Sequence, residues 1–355
     1  MTKDILYLNN KNLTKLYNLP SNLQILYCHD NQLTELNCLP ANLQILSCYG
    51  NRLTELNGLP SDLQELYCGN NYLTELNGLP ANLQILYCYS NQLTELNSLP
   101  ANLQTLSCSD NQLTELNGLP YNLKALYCES NRLTELDDLP NSLWKLTCWG
   151  NQLTELTLLP NSLKILYCNH NQLSRLKDLP NDLQELYCNN NQLTEIHSFP
   201  KGLQKLNCRN NQLTQIHAFP NDLQTLDCSY NYLTELPVAS LNSLQSLDIR
   251  DNNIIKLNLP RNLRYLDYDK DKIKFIDNLS VTHFNNRFSI EKYNVFRRFQ
   301  LHLRLFTTKL FKAAKIIHRH LHNWLYLASC KEHAVGIVPR LEWQKLCEDN
   351  ENITN

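Results

Sequence analysis

Every twenty residues this chain repeats itself. The stretch "NLQILYCHDNQLTEL", residues 22–36, returns almost unchanged along most of the sequence, and prolines at 20, 40, 60 and onward to 220, then 260, set the period. Between Pro220 and Pro260 one unit runs 21 residues and the next 19, so the register is regained. A unit this short has no room for a core of its own. It buries its apolar face only against its neighbours, so the chain must stack into a solenoid. That constraint overrides the two or three globular domains that 355 residues would otherwise suggest.

The frame of one unit reads Leu23-x-x-Leu26-x-Cys28-x-x-Asn31-x-Leu33, followed by Leu36, Leu39 and Pro40. Leu26 and Cys28 alternate with Tyr27, the period-2 pattern of a short strand with one face buried. Stacked units lay these strands side by side as a parallel sheet with a spacing of roughly 4.8 Å. The return from Leu33 to Pro40 is too short for a stable helix, and Pro40 drives Leu39 towards an extended conformation. All seven frame positions are expected to be buried. Asn31 sits where the strand turns away, and its amide both donates to and accepts from turn backbone groups, including those of the adjacent unit. The same column continues through Asn51, Asn71, Asn91, Asn111, Asn131, Asn151, Asn171, Asn191, Asn211 and Asn231, with Lys11 and Asp271 at its two ends.

This frame resembles the leucine-rich-repeat pattern L-x-x-L-x-L-x-x-N-x-L, with cysteine in the last strand position. It is most similar to the short, 20-residue "LP-x-x-L" class found in secreted bacterial effectors and in proteins of large DNA viruses. The resemblance covers residues 1–278 and implies about fourteen repeats: a horseshoe with parallel strands on its concave face and extended or 3-10 segments on its convex face. A linker over 279–288, a basic amphipathic helix or helices over 289–330 and a polar tail over 331–355 complete the expected organisation.

The thiols form a column of their own: Cys28, Cys48, Cys68, Cys88, Cys108, Cys128, Cys148, Cys168, Cys188, Cys208 and Cys228. An inward strand position makes each of them a small hydrophobe in the wall of the core. Zinc needs four ligands converging on one point, and a single file offers each thiol only its two neighbours. In-register parallel strands aim their Cβ vectors the same way, which disfavours bridges along the file. The expectation is therefore no metal, no cofactor and no disulfide. The N-terminal "MTKDILYLNN" has no basic region followed by a long apolar run, and fourteen cysteines in such a chain read as reduced thiols of an intracellular, cytoplasmic protein (the host cytoplasm if the protein is viral).

Between the uniform frame positions the sequence varies. One outward column contains Tyr27, Tyr67, Tyr87, Tyr127, Tyr167 and Tyr187; the next contains Tyr49, Tyr89 and Trp149. Tyrosine and tryptophan supply large contact area at low entropic cost, so this strip is the candidate surface for a protein partner. The alternative is that tyrosine simply suits a pleated strand and stacks on its neighbour. Towards the C-terminal repeats the same column turns acidic at Asp227, Asp248 and Asp267. A glutamate column from Glu35 to Glu155 on the outer side reads as a solubility device, and His197 and His217 are too few for a metal site.

No catalytic constellation is visible, so the chain reads as a non-enzyme. Bacterial ligases with similar repeats carry a nucleophile in a Cys-x-Asp motif, which Cys347-Glu348-Asp349 matches in letters, but it falls in the polar tail near the chain end. The net charge of −2 hides an asymmetry, since residues 281–320 hold nine Lys/Arg against one acid. Over 289–328 apolar residues from Phe296 to Trp324 recur at spacings of 3 and 4, with arginines and lysines opposite. Such a segment covers the open end of a solenoid, docks on a partner helix, or lies on an anionic membrane surface. Nucleic acid is the least favoured target. The expected function is thus protein–protein interaction on the concave face, the partner's identity being unreadable from the chain. An adaptor or ligase-like effector acting through the tail, or a membrane-attached scaffold, are the alternatives.

Overall fold

A computed structural model describes residues 4–260 and, beyond them, 262–269, 272–273, 275–276 and 279–280. The helix expected over 289–330, Cys347 and the polar tail lie outside the described residues. The chain divides into two compact units, Met1–Leu223 and Gln224–Asn355.

The first unit is a stack of three-residue parallel strands: β1 (Ile5–Tyr7), β2 (Ile25–Tyr27), β3 (Ile45–Ser47), β4 (Glu65–Tyr67), β5 (Ile85–Tyr87), β6 (Thr105–Ser107), β7 (Ala125–Tyr127), β8 (Lys145–Thr147), β9 (Ile165–Tyr167), β10 (Glu185–Tyr187) and β11 (Lys205–Asn207). Each pairs with the next at the repeat register, as in Leu26 with Leu46 and Leu146 with Leu166. A β-turn precedes each strand from β2 on: the Leu43 amide donates to the Pro40 carbonyl at 3.1 Å, and Leu63 repeats this on Pro60 at 3.2 Å. Its residues are those that a pleated strand of one buried face demands. From the second repeat on, Leu23, Leu26, Cys28, Leu33 and Leu36 and their equivalents are buried, whereas Leu6, Leu8, Leu13 and Leu16 of the first repeat are half-buried. Leu39 is not; it and most of its equivalents are half-buried, while Pro40 and the prolines that follow to Pro220 are buried. The proline ring, rather than the leucine before it, closes the outer wall of the core. The return segments are extended and hold one bridge, Leu176 with Ile196.

In the second unit β12 (Thr225–Asp227), β13 (Ser246–Asp248) and β15 (Tyr265–Asp267) pair in the same parallel sense. The pairs Leu226–Leu247 and Leu247–Leu266 absorb the long and the short repeat without a slip of face. A second, smaller sheet joins β14 (Lys256–Leu257), β16 (Phe275–Ile276) and β17 (Leu279–Ser280). The first two positions of the stretch read as a linker are thus those of β17. Among the described residues no helix is long and apolar enough to cross a membrane.

Candidate functional site: the strand face

The inward side of each strand is built from three repeating side chains. Asn51 shows the pattern. Its Oδ1 accepts from the Leu33 amide at 3.0 Å, and its Nδ2 donates to the Cys28 carbonyl at 3.0 Å and the Cys48 carbonyl at 2.9 Å. One side chain therefore satisfies the turn of its own repeat and that of the repeat before. Asn111 does the same with Leu93, Cys88 and Cys108, and adds the Ser109 carbonyl at 3.0 Å. Asn31 reaches Lys11, Leu13 and Leu8, and in the second unit Asn252 accepts from Leu233. Asn191 keeps these bonds while half-buried; the other asparagines from Asn31 to Asn231 are buried. A buried amide of this kind is stable because every polar atom has a partner.

The cysteine column is fully buried from Cys28 to Cys228, and the thiols from Cys28 to Cys188 are unbridged. Burial pushes the Cys28, Cys88 and Cys168 thiols up to about 12, so they stay neutral and unreactive. Among the described residues no group of three or more His, Cys, Asp or Glu side chains converges to hold a metal ion.

The outward side is where the side chains differ. Tyr7 stacks on Tyr27 with ring centroids 5.1 Å apart, and His29 on Tyr49 at 4.4 Å. Tyr67 meets Tyr87 edge-on at 5.2 Å, and Tyr167 meets Tyr187 likewise at 4.6 Å. Tyr89 lies over Gly69, where an added Cβ would come within 2.8 Å of its ring. Glycine there gives the ring its seat. The tyrosines of this strip from Tyr27 on are half-buried, while Tyr7 is exposed and Trp149 stands 37% exposed. Between the rings are short side chains, Ser47, Ser107 and Thr147, all buried.

A third outward column lies beside the two singled out from sequence: Ile25, Ile45, Glu65, Ile85, Thr105, Ala125, Lys145, Ile165, Glu185 and Lys205. It supplies the polar contacts of the strip. The Tyr67 hydroxyl donates to Glu65 at 2.8 Å and the Tyr167 hydroxyl to Glu185 at 2.9 Å. Burial and the neighbouring carboxylate raise both phenols, Tyr167 to about 12. Burial also pushes the Glu185 carboxyl up, but Lys205 at 2.8 Å, the Tyr167 hydroxyl and the charge of Lys145 bring it below its ordinary range. The Lys145 ammonium sits 4.8 Å from the Tyr127 ring centroid, a cation–π contact. Period-2 alternation places residue 25 on the same side as residue 27, the signal that could have found this column. In the second unit Arg250 grips Asp248, with Nη2 at 2.6 Å, and reaches Asp267 at 3.5 Å, so the acidic column there carries its own counter-charge.

Short parallel strands stacked at a twenty-residue register, an asparagine ladder at the turns and leucines along the core together define a leucine-rich-repeat solenoid. The chain belongs to the leucine-rich-repeat family. The family description "Leucine Rich repeats (2 copies)" matches residues 41–81 and 182–221, and "Leucine Rich Repeat" matches 222–244. Among solved structures the chain is similar to YopM from Yersinia enterocolitica WA-314, at 36% identity and a TM-score of 0.72 over 74% of this chain. It spans 59% of that protein's length. It is similar also to the leucine-rich effector protein YopM of Yersinia pestis, at 33% identity and a TM-score of 0.68, covering 77% of this chain and 85% of that one. A third likeness is the functional domain of InlJ from Listeria monocytogenes, described as including a cysteine ladder: 30% identity, TM-score 0.58, 74% of this chain and 56% of that one. No curated protein matches the chain.

Proposed function

We propose that this protein is a non-enzymatic interaction module that holds a protein partner on the outward face of its strands, the face a horseshoe makes concave. Repeat solenoids of this family present extended binding surfaces of that kind. The observation that carries the reading is the contrast within each strand. Inward positions are fixed as leucine, cysteine and asparagine, whereas outward ones assemble half-exposed aromatic side chains, from Tyr27 and Tyr49 through Tyr67, Tyr87, Tyr89, Tyr127 and Trp149 to Tyr167 and Tyr187. Preformed ring contacts lower the entropy that a partner's arrival would otherwise remove from these side chains. The buried thiol column fits a reducing, intracellular setting, where unbridged cysteines persist.

Capture of a partner from cell lysate, followed by the Tyr89→Ala/Trp149→Ala double variant, tests this reading. Binding is expected to fall at least about tenfold, as for hot-spot aromatics, with the urea midpoint almost unmoved. Undiminished binding by the double variant would move the site off this strip.

A further inference from the structure

The residue just before each strand is glutamine in most of the first unit. Gln24, Gln44, Gln64, Gln84 and Gln104 run without a break, and glutamine returns at Gln184 and Gln204. Between them stand Lys124, Trp144 and Lys164. Main-chain bonds make these three immediate neighbours: the Trp144 amide donates to the Lys124 carbonyl at 3.0 Å, and the Lys164 amide donates to the Trp144 carbonyl at 2.8 Å. All three side chains are exposed, Trp144 by 40%. A further cation, Lys145, follows Trp144 in the chain.

No ion pair closes on this rim, although the charge of Lys145 is felt by Glu185. Among the described residues no carboxylate lies within ion-pairing distance of Lys124, Lys145 or Lys164. The Lys124 ammonium donates to the neutral amide of Gln104 at 2.9 Å, and Lys145 rests over a tyrosine ring. Of the outward acids, Glu129 accepts from the Thr147 hydroxyl at 2.6 Å and Glu185 from the Lys205 ammonium at 2.8 Å. Lys145 stands one strand from both Lys124 and Lys164, and like charges so placed repel unless an anion lies between them. An exposed indole between two such ammonium groups offers apolar contact area at the same place.

We propose that this rim holds an acidic polypeptide segment, an apolar side chain against Trp144 and carboxylates reaching Lys124 and Lys164. The proposal rests on the strand-face reading and names the chemistry of the partner there. Strands spaced roughly 4.8 Å apart put the two lysine backbones about 10 Å from each other. An extended peptide crossing them presents alternate side chains about 7 Å apart on one face. An acid-x-apolar-x-acid segment therefore spans the three positions once the long lysine side chains splay outward.

Selection of a displayed library of short peptides on the full chain tests this, with affinities of the selected peptides measured by fluorescence anisotropy. Enrichment of Asp and Glu around an apolar residue is expected. Affinity should fall about tenfold or more in Lys124→Glu/Lys164→Glu, and by a similar factor in Trp144→Ala, the residue type that most often dominates an interface. It should also weaken as salt rises to about 0.5 M, where exposed charges are screened. The urea midpoint of each variant checks that the fold is intact. Peptides without acidic enrichment, or indifferent to the lysine reversal, overturn the proposal, as does tighter lysine-dependent binding of a single-stranded oligonucleotide. Peptides that need Tyr89 and Trp149 but ignore the lysines sink this inference and leave the strand-face reading standing. Peptides indifferent to both sets sink both.

Discussion

Around β7, Leu126 and Cys128 point into the stack, whereas Tyr127 and Glu129 point out of it. One strand to either side, the inward pair is again leucine and cysteine, but the outward pair becomes Ser107 and Ser109, or Thr147 and Trp149. The inward positions are fixed by a wall only one side chain thick: a larger group there collides with identical neighbours above and below, and a smaller one leaves a cavity in each contact. The outward positions meet only the next ring along and whatever docks on them, so their chemistry is free to vary. Stability belongs to the inward face, and the proposed function assigns recognition to the other.

The strongest way to break that division is to remove a polar group from the wall. Asn111 has the Leu93 amide on its oxygen and the Cys88, Cys108 and Ser109 carbonyls on its nitrogen. In Asn111→Leu the apolar replacement fits the volume but leaves those backbone groups buried without partners. A loss of about 1–3 kcal/mol is expected from the urea midpoint. An unchanged midpoint would mean that water or a backbone shift replaces the ladder, and that the wall is less exacting than its uniformity implies.

A second test uses the thiols. Burial raises Cys88 and Cys168 to about 12 from an ordinary 9.0. Above pH 9 the unfolded chain loses these protons while the folded one keeps them, so the unfolded state binds fewer protons and stability falls as pH rises towards 12. At pH 10 each such thiol is expected to cost about 1.4 kcal/mol. The outward phenols Tyr67, Tyr87 and Tyr167 are raised as well and act in the same direction. Cys88→Val separates the two faces. The variant should lose less stability between pH 8 and pH 10 than the parent, measured by urea denaturation at each pH. Identical slopes would assign the alkaline sensitivity to the tyrosines.

The sequence made the wall legible because its period and its two-residue alternation are both visible without coordinates. Leu26, Cys28 and Asn31 follow from those two facts alone. Leu39 shows where such reasoning stops. A leucine before a proline looks like core, but which of the two fills the outer corner depends on the path of the return segment, and Pro40 takes the buried place. The strand face was read from two of its three columns. Glu65, Lys145 and Glu185, which fix Tyr67, Tyr127 and Tyr167, belong to the third. Side-chain ladders on the turns were missed for a different reason. Ser142 donates to the Tyr121 carbonyl at 2.7 Å and Ser162 to the Asn141 carbonyl at 2.8 Å, replacing asparagines such as Asn82 and Asn102 that do the same. Asparagine and serine share this task through quite different atoms, so the column does not look conserved in letter.

The smallest expected effect lies in a column that belongs to neither face. Seven residues before the first residue of the next strand, the chain passes through a left-handed position occupied by Gly58, Gly78 and Gly118, with φ of +65°, +64° and +65°. In one repeat that position is Leu158, with φ of 52° and 90% of its surface exposed. A leucine in this conformation sets its Cβ against the following carbonyl at a cost of about 1–2 kcal/mol. Glycine removes that strain but enlarges the freedom of the unfolded chain, which gives back about 0.5–1 kcal/mol. Leu158→Gly is therefore expected to stabilise by about 0.5 kcal/mol, the difference between those two terms. Gly118→Leu is the reverse experiment and should destabilise by a similar amount, since nothing lies within 4 Å of the added Cβ to change the balance. Equilibrium urea curves of the two variants resolve the sign. If Leu158→Gly destabilises instead, the leucine makes a contact that its exposure hides, and the outer turns must be counted with the packed wall rather than with the backbone alone.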